Sequence, residues 1–332
     1  MSRMINTVTG PVSSDNLGAV LAHEHVLFGY PGYEGDATCN VWDEERFFGV
    51  VEPVIEKIKA QGIRTIVDAT PNDCGRDAAM LKKISERCGI NIICSTGYYY
   101  ERGGASAYWN FRRNFGFPAD EEVYELMKLE LNEGIAKTGV KAGVIKVASG
   151  IGAIGDYEKM FFLAACRLAK EDPGVRIVTH CSHGTMLKEQ AELFISEGVN
   201  PNQVQLGHFC DTVDLSAQID VMEKGFYAGF DRMGQVGFDG MPYDDDRLAA
   251  ICALTSLGFG KRILLSNDRI YWFLGREFLL SKQIVDTLIK EWHWTYIFEK
   301  LLPKLQKMGL SEEQTHGFMF ENPAGFYGGA LA

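Results

Sequence analysis

The chain has 332 residues, of which 46% are hydrophobic and 23% are charged. This is enough apolar material for a large core, so disulfide or metal staples are not needed for stability. The 33 basic and 44 acidic residues give a net charge of −11 at pH 7. Such an acidic chain is a poor electrostatic partner for nucleic acid or an anionic membrane, and we expect neither among its partners.

The cysteines and the hydropathy pattern favour a cytoplasmic location. No stretch approaches the ~18 apolar residues that a membrane span needs, and the first residues contain no apolar signal core. None of the eight cysteines belongs to a Cys-x-x-Cys pair. Single cysteines in apolar runs behave as small hydrophobic residues, which is typical of free thiols in a reducing compartment.

Short β-rich apolar runs alternate eight times with helix-length amphipathic segments. The predicted strands are Ala19–Phe28, Thr65–Thr70, Ile90–Thr96, Gly143–Ser149, Val175–His180, Val204–His208, Phe226–Phe230 and Arg262–Asp268. The predicted helices include Glu44–Gln61, Glu121–Lys137, Tyr157–Glu171, Met186–Glu197, Leu215–Lys224 and Asp244–Leu257. Strands that alternate with helices pair in parallel, and eight such units favour an α/β fold, the closed (β/α)₈ TIM barrel.

An open, doubly wound sheet is the alternative architecture. It has little support because no Gly-x-Gly-x-x-Gly motif follows the first strand. The residues through Leu17 are predicted to form a short hairpin at the edge of the barrel, and the stretch from Thr287 to Phe320 is predicted to form extra helices packed outside it. Because no linker or low-complexity segment interrupts the chain, we predict one domain over residues 1–332.

Two histidines lie two residues apart near the end of the first predicted strand. His23 and His25 share one face of that strand and Glu24 lies on the opposite face, because side chains alternate between faces with a period of two. Two imidazoles converging at a strand end form half of a divalent-metal site. Two histidines that are hydrogen-bonded within a core would give the same motif, so His-x-His alone leaves both interpretations open.

A lysine lies in the middle of the fourth predicted strand. A bare ammonium is costly in a buried parallel strand, so Lys146 must be paired, neutral or chemically modified. A neutral lysine can add carbon dioxide and become a carbamate, a carboxylate that can bridge two metals. A structural ion pair with a neighbouring acid is the alternative, and it would be preferred if the histidines were absent.

Three more candidate ligands end later strands. His180 ends the fifth, His208 ends the sixth, and Asp268 ends the eighth. Functional side chains of a barrel cluster at the carboxyl ends of its strands. Four histidines, one lysine and one aspartate at barrel strand ends therefore predict a site for two metal ions, which is far more specific than any one motif.

This pattern resembles the phosphotriesterase family of the amidohydrolase superfamily, and within it the phosphotriesterase-like lactonases. The matching elements run from the His23-x-His25 strand to the run Asn322-Pro323-Ala324. The phrases that resemble the lactonase branch are Trp42-Asp43-Glu44-Glu45, Thr65-Ile66-Val67-Asp68, Thr96-Gly97-Tyr98-Tyr99, Gly229-Phe230-Asp231-Arg232-Met233-Gly234 and Trp272-Phe273-Leu274-Gly275-Arg276.

The resemblance implies a role for each candidate ligand. One divalent ion would be held by His23, His25 and Asp268, and the other by His180 and His208. A carbamate formed from carbon dioxide on Lys146 would bridge the two ions. Zinc is the expected metal, and cobalt, manganese or iron also suit these ligands.

The resemblance also implies roles for residues around the metals. Tyr99 would lean over the site towards the substrate, and Arg232 would shape the pocket. Asp211, three residues after His208, would be a carboxylate behind the ligands, at the position of a proton relay in the family. Asp268 would accept a proton from the nucleophilic water and pass it to the leaving group.

The activity implied is that of a binuclear metal-dependent hydrolase that opens lactones, such as N-acyl-homoserine lactones or other γ- and δ-lactones, with promiscuous phosphotriesterase (aryldialkylphosphatase) activity. A primary phosphotriesterase or another carboxylic-ester hydrolase is the alternative. A barrel that binds a ligand without catalysis, or an amidase or deaminase of the same superfamily, is less favoured. The family also implies a homodimer.

Substrate preference depends on the segment after Asp268. The sequence carries Asn267 before this aspartate, where many lactonases of the branch have histidine, and Arg269 after it. The stretch from Arg269 to Phe278 contains five large apolar residues in a row, and we expect it to line a channel for an acyl chain or a lipophilic leaving group. A contact with a second subunit is the alternative for the run Ile270, Tyr271, Trp272, Phe273 and Leu274.

Overall fold

The computed structural model of the chain describes residues 3–39, 42–237, 240–276 and 280–329. Its strands are β1 (Met4–Thr7), β2 (Gly10–Ser13), β3 (Ala19–Phe28), β4 (Ile63–Asp68), β5 (Asn91–Gly97), β6 (Val144–Ser149), β7 (Ile177–Cys181), β8 (Val204–Leu206), β9 (Tyr227–Phe230), β10 (Ile263–Leu265) and β11 (Ile270–Phe273). The predicted N-terminal hairpin is confirmed, since β1 and β2 pair antiparallel.

The helices lie between and after the strands. They are α1 (Glu44–Ala60), α2 (Ala78–Cys88), α3 (Ala107–Asn114), α4 (Ala119–Asn132), α5 (Asp156–Glu171), α6 (Leu187–Ser196), α7 (Leu215–Met222), α8 (Asp244–Ser256), α9 (Lys282–Thr287), α10 (Leu302–Lys307), α11 (Glu312–Met319) and α12 (Glu321–Gly328). One π-helical turn, Ile297–Leu301, leads into α10. Among the described residues, no helix has both the length and the apolar character that crossing a bilayer requires.

The predicted TIM barrel is confirmed. Strands β3 to β10 pair in parallel in their sequence order, with β11 on the free side of β3. Parallel pairing follows from the helices, because each crossover returns the chain to the same end of the sheet. The carboxyl ends of the strands therefore meet at one rim of the barrel.

The eighth predicted strand, Arg262–Asp268, differs from the structure. The chain forms two short strands there: β10 pairs with β9, and β11 pairs with β3. Between them the chain bends at Asp268, which has a φ of 50°. Its backbone N–H donates to the carbonyl of His23 at 3.1 Å. The two strands and this bend close the barrel between β9 and β3.

Helix α1 illustrates how local sequence forms the outer layer. Asp43 caps the helix, because its carboxylate accepts a hydrogen bond from the N–H of Arg46 at 2.9 Å. The buried side chains then recur every three or four residues, which places them on the face that packs on the barrel; they are Phe47, Val51, Ile55 and Ile58.

The end of the barrel opposite the metal-ligand rim is filled by a separate apolar cluster. The C-terminal helix α12 contributes Phe326 and Tyr327 to it, and the hairpin contributes Ile5. The extra helices predicted for Thr287–Phe320 are present as α10 and α11, whose buried side chains join the main core. The assignment of residues 1–332 to one domain stays a prediction, since residues 1–2, 40–41, 238–239, 277–279 and 330–332 lie outside the described ranges.

Candidate metal centre

The barrel brings all six predicted ligands to one rim, and each of them is buried. Four lie within strands and two lie just after strand ends. They are His23 and His25 of β3, Lys146 of β6, His180 of β7, His208 after β8, and Asp268 after β10. The ligating atoms of one subset lie within 4.8 Å of one another, which would suit a metal ion; that subset is His23, His208 and Asp268.

The hydrogen bond to Thr70 fixes the orientation of His25. Nδ1 of His25 lies 2.8 Å from the hydroxyl oxygen of Thr70, which donates its own proton to the carbonyl of Leu27. The hydroxyl must therefore accept from Nδ1–H of the imidazole. This tautomer leaves the lone pair of Nε2 directed at the site, where Oδ1 of Asp268 lies 3.2 Å away.

Asp231 orients two of the other histidines. Its Oδ2 lies 2.9 Å from Nδ1 of His23, and its Oδ1 lies 3.0 Å from Nδ1 of His208. A carboxylate that faces Nδ1 favours the tautomer with a free Nε2, which is the form that binds a metal. Burial alone would raise the pKa of Asp231, but His208 and His23 outweigh it and hold the pKa well below its usual range.

Two of the histidines, His23 and His180, are held in their neutral form. Burial, helped by Lys146, lowers the pKa of His23 to about 3. Burial and the neighbouring His208 lower the pKa of His180 well below its usual value. Nε2 of His208 and Nδ1 of His180 lie 2.7 Å apart. A neutral imidazole keeps the nitrogen lone pair that a metal requires.

Lys146 is 1% exposed and points into the same cluster, with Nζ 2.6 Å from Nε2 of His23. Burial lowers the pKa of this lysine to about 8, although Asp268 and Asp231 act in the opposite direction. About a tenth of the lysine is therefore neutral at pH 7, far more than at its ordinary pKa. That neutral amine is the form able to add carbon dioxide.

Asp268 lies at the centre of the cluster and is tied to a cation. Its Oδ2 accepts a hydrogen bond from Nε of Arg232 at 2.9 Å. Burial would raise the pKa of Asp268, but His208, His25 and Arg232 hold it well below its usual value. Arg232 also donates through Nη1 to Oδ2 of Asp211 at 2.6 Å. The structure therefore links Asp211 to Asp268 through the guanidinium of Arg232.

Glu24, which the sequence placed on the opposite face from the two histidines, secures the closing segment of the barrel. Its carboxylate accepts hydrogen bonds from the hydroxyl of Ser266, two backbone N–H groups and the indole N–H of Trp294. The backbone donors belong to Asn267 and Arg269, the residues on either side of Asp268. Neither Glu24 nor Asp231 was identified as a functional residue from the sequence. Both are carboxylates that lie in or directly after a buried strand, and this sequence feature could have identified them.

Residues 3–327 match the model of the phosphotriesterase family. The chain belongs to the phosphotriesterase family. The resemblance inferred from the strand-end residues is thus confirmed.

This chain is similar to solved structures and to a curated relative over nearly its whole length. The organophosphorus hydrolase from Deinococcus radiodurans is 42% identical, with a TM-score of 0.95 over 98% of this chain and 97% of that chain. A mutant of a PTE-like lactonase from the same organism is also 42% identical, with a TM-score of 0.94 over 98% and 100%. An aryldialkylphosphatase from Saccharolobus solfataricus is 30% identical over 95% of this chain and 96% of its own.

A cavity of about 210 Å³ opens next to the metal-ligand cluster of this family member. Tyr99 lines it, with its ring centre 5.0 Å from that of His180. Arg232 and Asp268 also line it, whereas Asp211 lies behind Arg232. Phe28, Ile270 and Phe273 form one apolar part of the wall, and Met241 and Trp292 also line the cavity.

The prediction that five apolar residues line this cavity is wrong in part. Trp272 instead packs against Phe47, with ring centres 5.5 Å apart, and Tyr271 packs against Trp294 at 4.1 Å. The reason is that this run continues the sheet as β11, so its side chains leave towards both faces. The end of the predicted stretch, Phe278, lies outside the described residues.

Arg269, the cation next to Asp268 in the chain, does not line the cavity. Its guanidinium lies over the ring of Trp292, 4.2 Å from the ring centre. Asn267 is turned away as well, because its Nδ2 donates to the carbonyl of Met233 at 2.8 Å. Both residues therefore support the loop that carries Asp268.

Proposed function

We propose that this protein is a binuclear metal-dependent lactonase with a weaker phosphotriesterase activity. Family membership supports an ester hydrolase, and the names of the similar proteins, a PTE-like lactonase and an aryldialkylphosphatase, support these two substrate classes. The observation that carries the proposal is one buried cluster that contains the neutral imidazoles of His23 and His180, a lysine whose pKa is lowered to about 8, and a charged aspartate.

The donor set fits two divalent ions. We assign one ion to His23, His25 and Asp268, and the other to His180 and His208. Support comes from the partners behind the ligands, because Thr70 and Asp231 direct three Nε2 atoms into the cluster.

Lys146, as a carbamate, would complete the set with a bridging carboxylate. Imidazole and carboxylate ligands suit zinc, and they also suit cobalt, manganese and iron. When bound, the ions would supply a water of lowered pKa and a Lewis acid for the carbonyl or phosphoryl oxygen.

The protein's own residues then handle the proton. Asp268 is charged and faces the cavity, so Oδ1 can accept the proton of the attacking water and return it to the leaving alkoxide. Nε of Arg232 holds Oδ2 of the same carboxylate, which fixes its orientation during both transfers. Tyr99 packs on His180 and excludes water from one side of the cavity.

The cavity favours a lactone with an apolar substituent. Phe28, Ile270 and Phe273 form a wall next to Asp268 that can bury an alkyl chain. A primary phosphotriesterase or another carboxylic-ester hydrolase remains the second candidate, because the same metal chemistry serves either electrophile. A barrel that only binds ligand is disfavoured, since every expected metal ligand is present and buried.

Two further properties stay predictions. None of the eight cysteines, all of which fall in described residues, forms a disulfide, and this supports a cytoplasmic location. Membership of the family is the basis for expecting a homodimer.

Metal analysis and a substrate panel test the proposal. The purified protein should carry about two divalent ions per chain, and a strong chelator should abolish hydrolysis. His208→Ala should lose metal, whereas the surface variant His316→Ala should retain it. Acyl-homoserine lactones, simple γ- and δ-lactones and paraoxon-like triesters should give higher kcat/KM for lactones. Full activity after verified metal removal would refute the metal dependence. A higher kcat/KM for triesters than for lactones would favour the second candidate, a primary phosphotriesterase.

A further inference from the structure

A second cavity lies at the opposite end of the barrel from the metal centre. Its volume is about 400 Å³, within the range of small-molecule sites. It is lined by the hairpin strand β1, the C-terminal parts of α4 and α5, the residues that precede β6 and β7, and the C-terminal helix α12. Because the metal ligands lie near the carboxyl ends of the strands, this cavity is separate from the site described above.

Arg176, in the wall of this cavity, is a buried cation without a carboxylate partner. It is 3% exposed, and it donates through Nη1 to the carbonyls of Pro173 and Val175, at 2.8 and 3.0 Å, and through Nε to the carbonyl of Phe326. Within the described ranges, no carboxylate forms an ion pair with it and its Nη2 has no hydrogen-bond acceptor. Burial, together with Arg3, lowers the pKa of this guanidinium to about 10.

Tyr327, from α12, lines the same cavity with an unused hydroxyl group. The residue is 1% exposed, and its hydroxyl has no hydrogen-bond partner in the part of the chain that the structure describes. A buried hydroxyl without a partner costs free energy that a hydrogen bond to a ligand would recover. The wall of the cavity therefore contains one residue with an unused hydroxyl and one unbalanced positive charge.

The other charges of the cavity cancel in pairs. Arg3 lies 3.2 Å from Asp172, and Lys128 lies 3.2 Å from Glu171. Arg176 is left as the surplus charge. A buried charge is stabilised chiefly by an opposite charge that also accepts its hydrogen bonds. A carboxylate or phosphate group has both properties and forms strong hydrogen bonds with guanidinium groups.

We propose that this cavity is a binding site for a small anion that carries a carboxylate or phosphate group, with Arg176 and Tyr327 as the donors. The anion would connect the start of β7 to α12, because these two residues come from those elements. Its occupation would stabilise the barrel at the end opposite to catalysis. The proposal is independent of the reaction at the metal centre.

Thermal unfolding of the full-length metal-loaded protein tests this site. Sodium phosphate and sodium acetate are titrated separately, with sodium chloride added to hold ionic strength constant. At about ten times the dissociation constant, the expected rise in Tm of the parent protein is about 2–4 °C. A rise with only one of the two salts assigns the site to that chemical class.

Two tyrosine variants separate this cavity from anion binding at the metals. Tyr327→Phe should lose most of the anion-dependent rise, while its Tm without added anion should be unchanged or higher. Tyr227→Phe is the matched control, because Tyr227 is also a buried tyrosine with an unpartnered hydroxyl but lines a different cavity. It should keep the full rise. An equal rise in Tyr327→Phe and the parent protein, or no rise with either salt, would overturn the proposal.

Discussion

Oδ2 of Asp268 accepts a hydrogen bond from Nε of Arg232 at 2.9 Å. The carboxylate that faces the cavity is thus held by a guanidinium, which in turn is held by Asp211 at 2.6 Å. This pairing keeps the carboxylate charged and in one orientation. We therefore expect the proposed proton acceptor, Asp268, to lose its function in a variant that removes its charge but keeps its shape.

Asp268→Asn should lower kcat by ~10²-fold or more, because an amide neither accepts a proton nor pairs with Arg232. Steady-state kinetics with the best lactone provides the measurement, and metal analysis of the same sample separates catalysis from ligand loss. Asp245→Asn, at an exposed carboxylate, is the control. Unchanged turnover at saturating substrate would remove Asp268 from the proton transfer.

Asp231→Asn should weaken metal binding by about 10–100-fold. An amide can accept from one imidazole only, so either His23 or His208 loses the acceptor that fixes its tautomer. Competition with a chromogenic chelator measures the affinity directly. The surface variant Asp220→Asn should bind metal as the parent does. An equal affinity for Asp231→Asn would mean that the carboxylate does not orient the ligands.

Lys146→Ala should be inactive, and short carboxylates such as acetate should restore part of the activity by occupying the bridging position. Lys146→Arg should stay inactive with or without acetate, because guanidinium does not add carbon dioxide and brings a fixed charge into the site. Kinetics and metal content are measured with and without bicarbonate. An active arginine variant would show that the carbamate is not required.

Phe273→Ala should reduce the dependence of kcat/KM on the length of the acyl chain. Phe273 lines the cavity, and each methylene that it helps to bury contributes up to ~0.8 kcal/mol. Trp272→Ala is the matched control, since the neighbouring Trp272 packs on Phe47 instead. It should lower stability and leave the substrate profile unchanged. A parent enzyme that is indifferent to chain length would contradict the lactone channel.

Asp73 should contribute to the stability of the metal-free protein at acidic pH, and this contribution should be lost as pH rises from about 4 to 7. Burial raises the pKa of this carboxyl to about 6 from an ordinary value of 3.8. The folded protein therefore holds the proton that the unfolded chain releases, and stability is lost as the pH passes through this interval.

Asp73→Asn removes this titration. Its free energy of unfolding relative to the parent should increase by about 1–3 kcal/mol between pH 4 and pH 7. Urea unfolding at several pH values measures the difference, with Asp220→Asn as the exposed control. A difference that does not change with pH would show that the Asp73 carboxyl does not titrate in this interval.

The barrel and its ligand positions were predictable from the sequence because both depend on periodicity. Alternating elements predict parallel strands, and parallel strands place His23, Lys146 and His180 near one rim. No distance between them was needed for that inference, since topology alone makes strand ends neighbours. The same argument identified Asp268, although the strand expected to carry it divides into β10 and β11.

The partners of the ligands were not predictable in this way. Asp231 follows β9, yet it serves histidines from β3 and β8, so its role depends on how far the side chains reach across the barrel. Glu24 was assigned only to the other face of its strand, and its four donors come from two distant parts of the chain. The prediction for Trp272 failed because a run of apolar residues does not reveal which of them face a cavity.

The last predicted strand is divided into β10 and β11, and this bears on the order in which the chain can complete its fold and its site during synthesis. Five of the proposed ligands precede residue 263 in the chain, and the sixth, Asp268, lies in the segment that joins β9 to β3. A nascent chain that ends before this segment has two unpaired strand edges and lacks the central carboxylate. The segment that closes the sheet thus also carries the last of the proposed ligands, and we expect chains that end before it to be inert towards substrate.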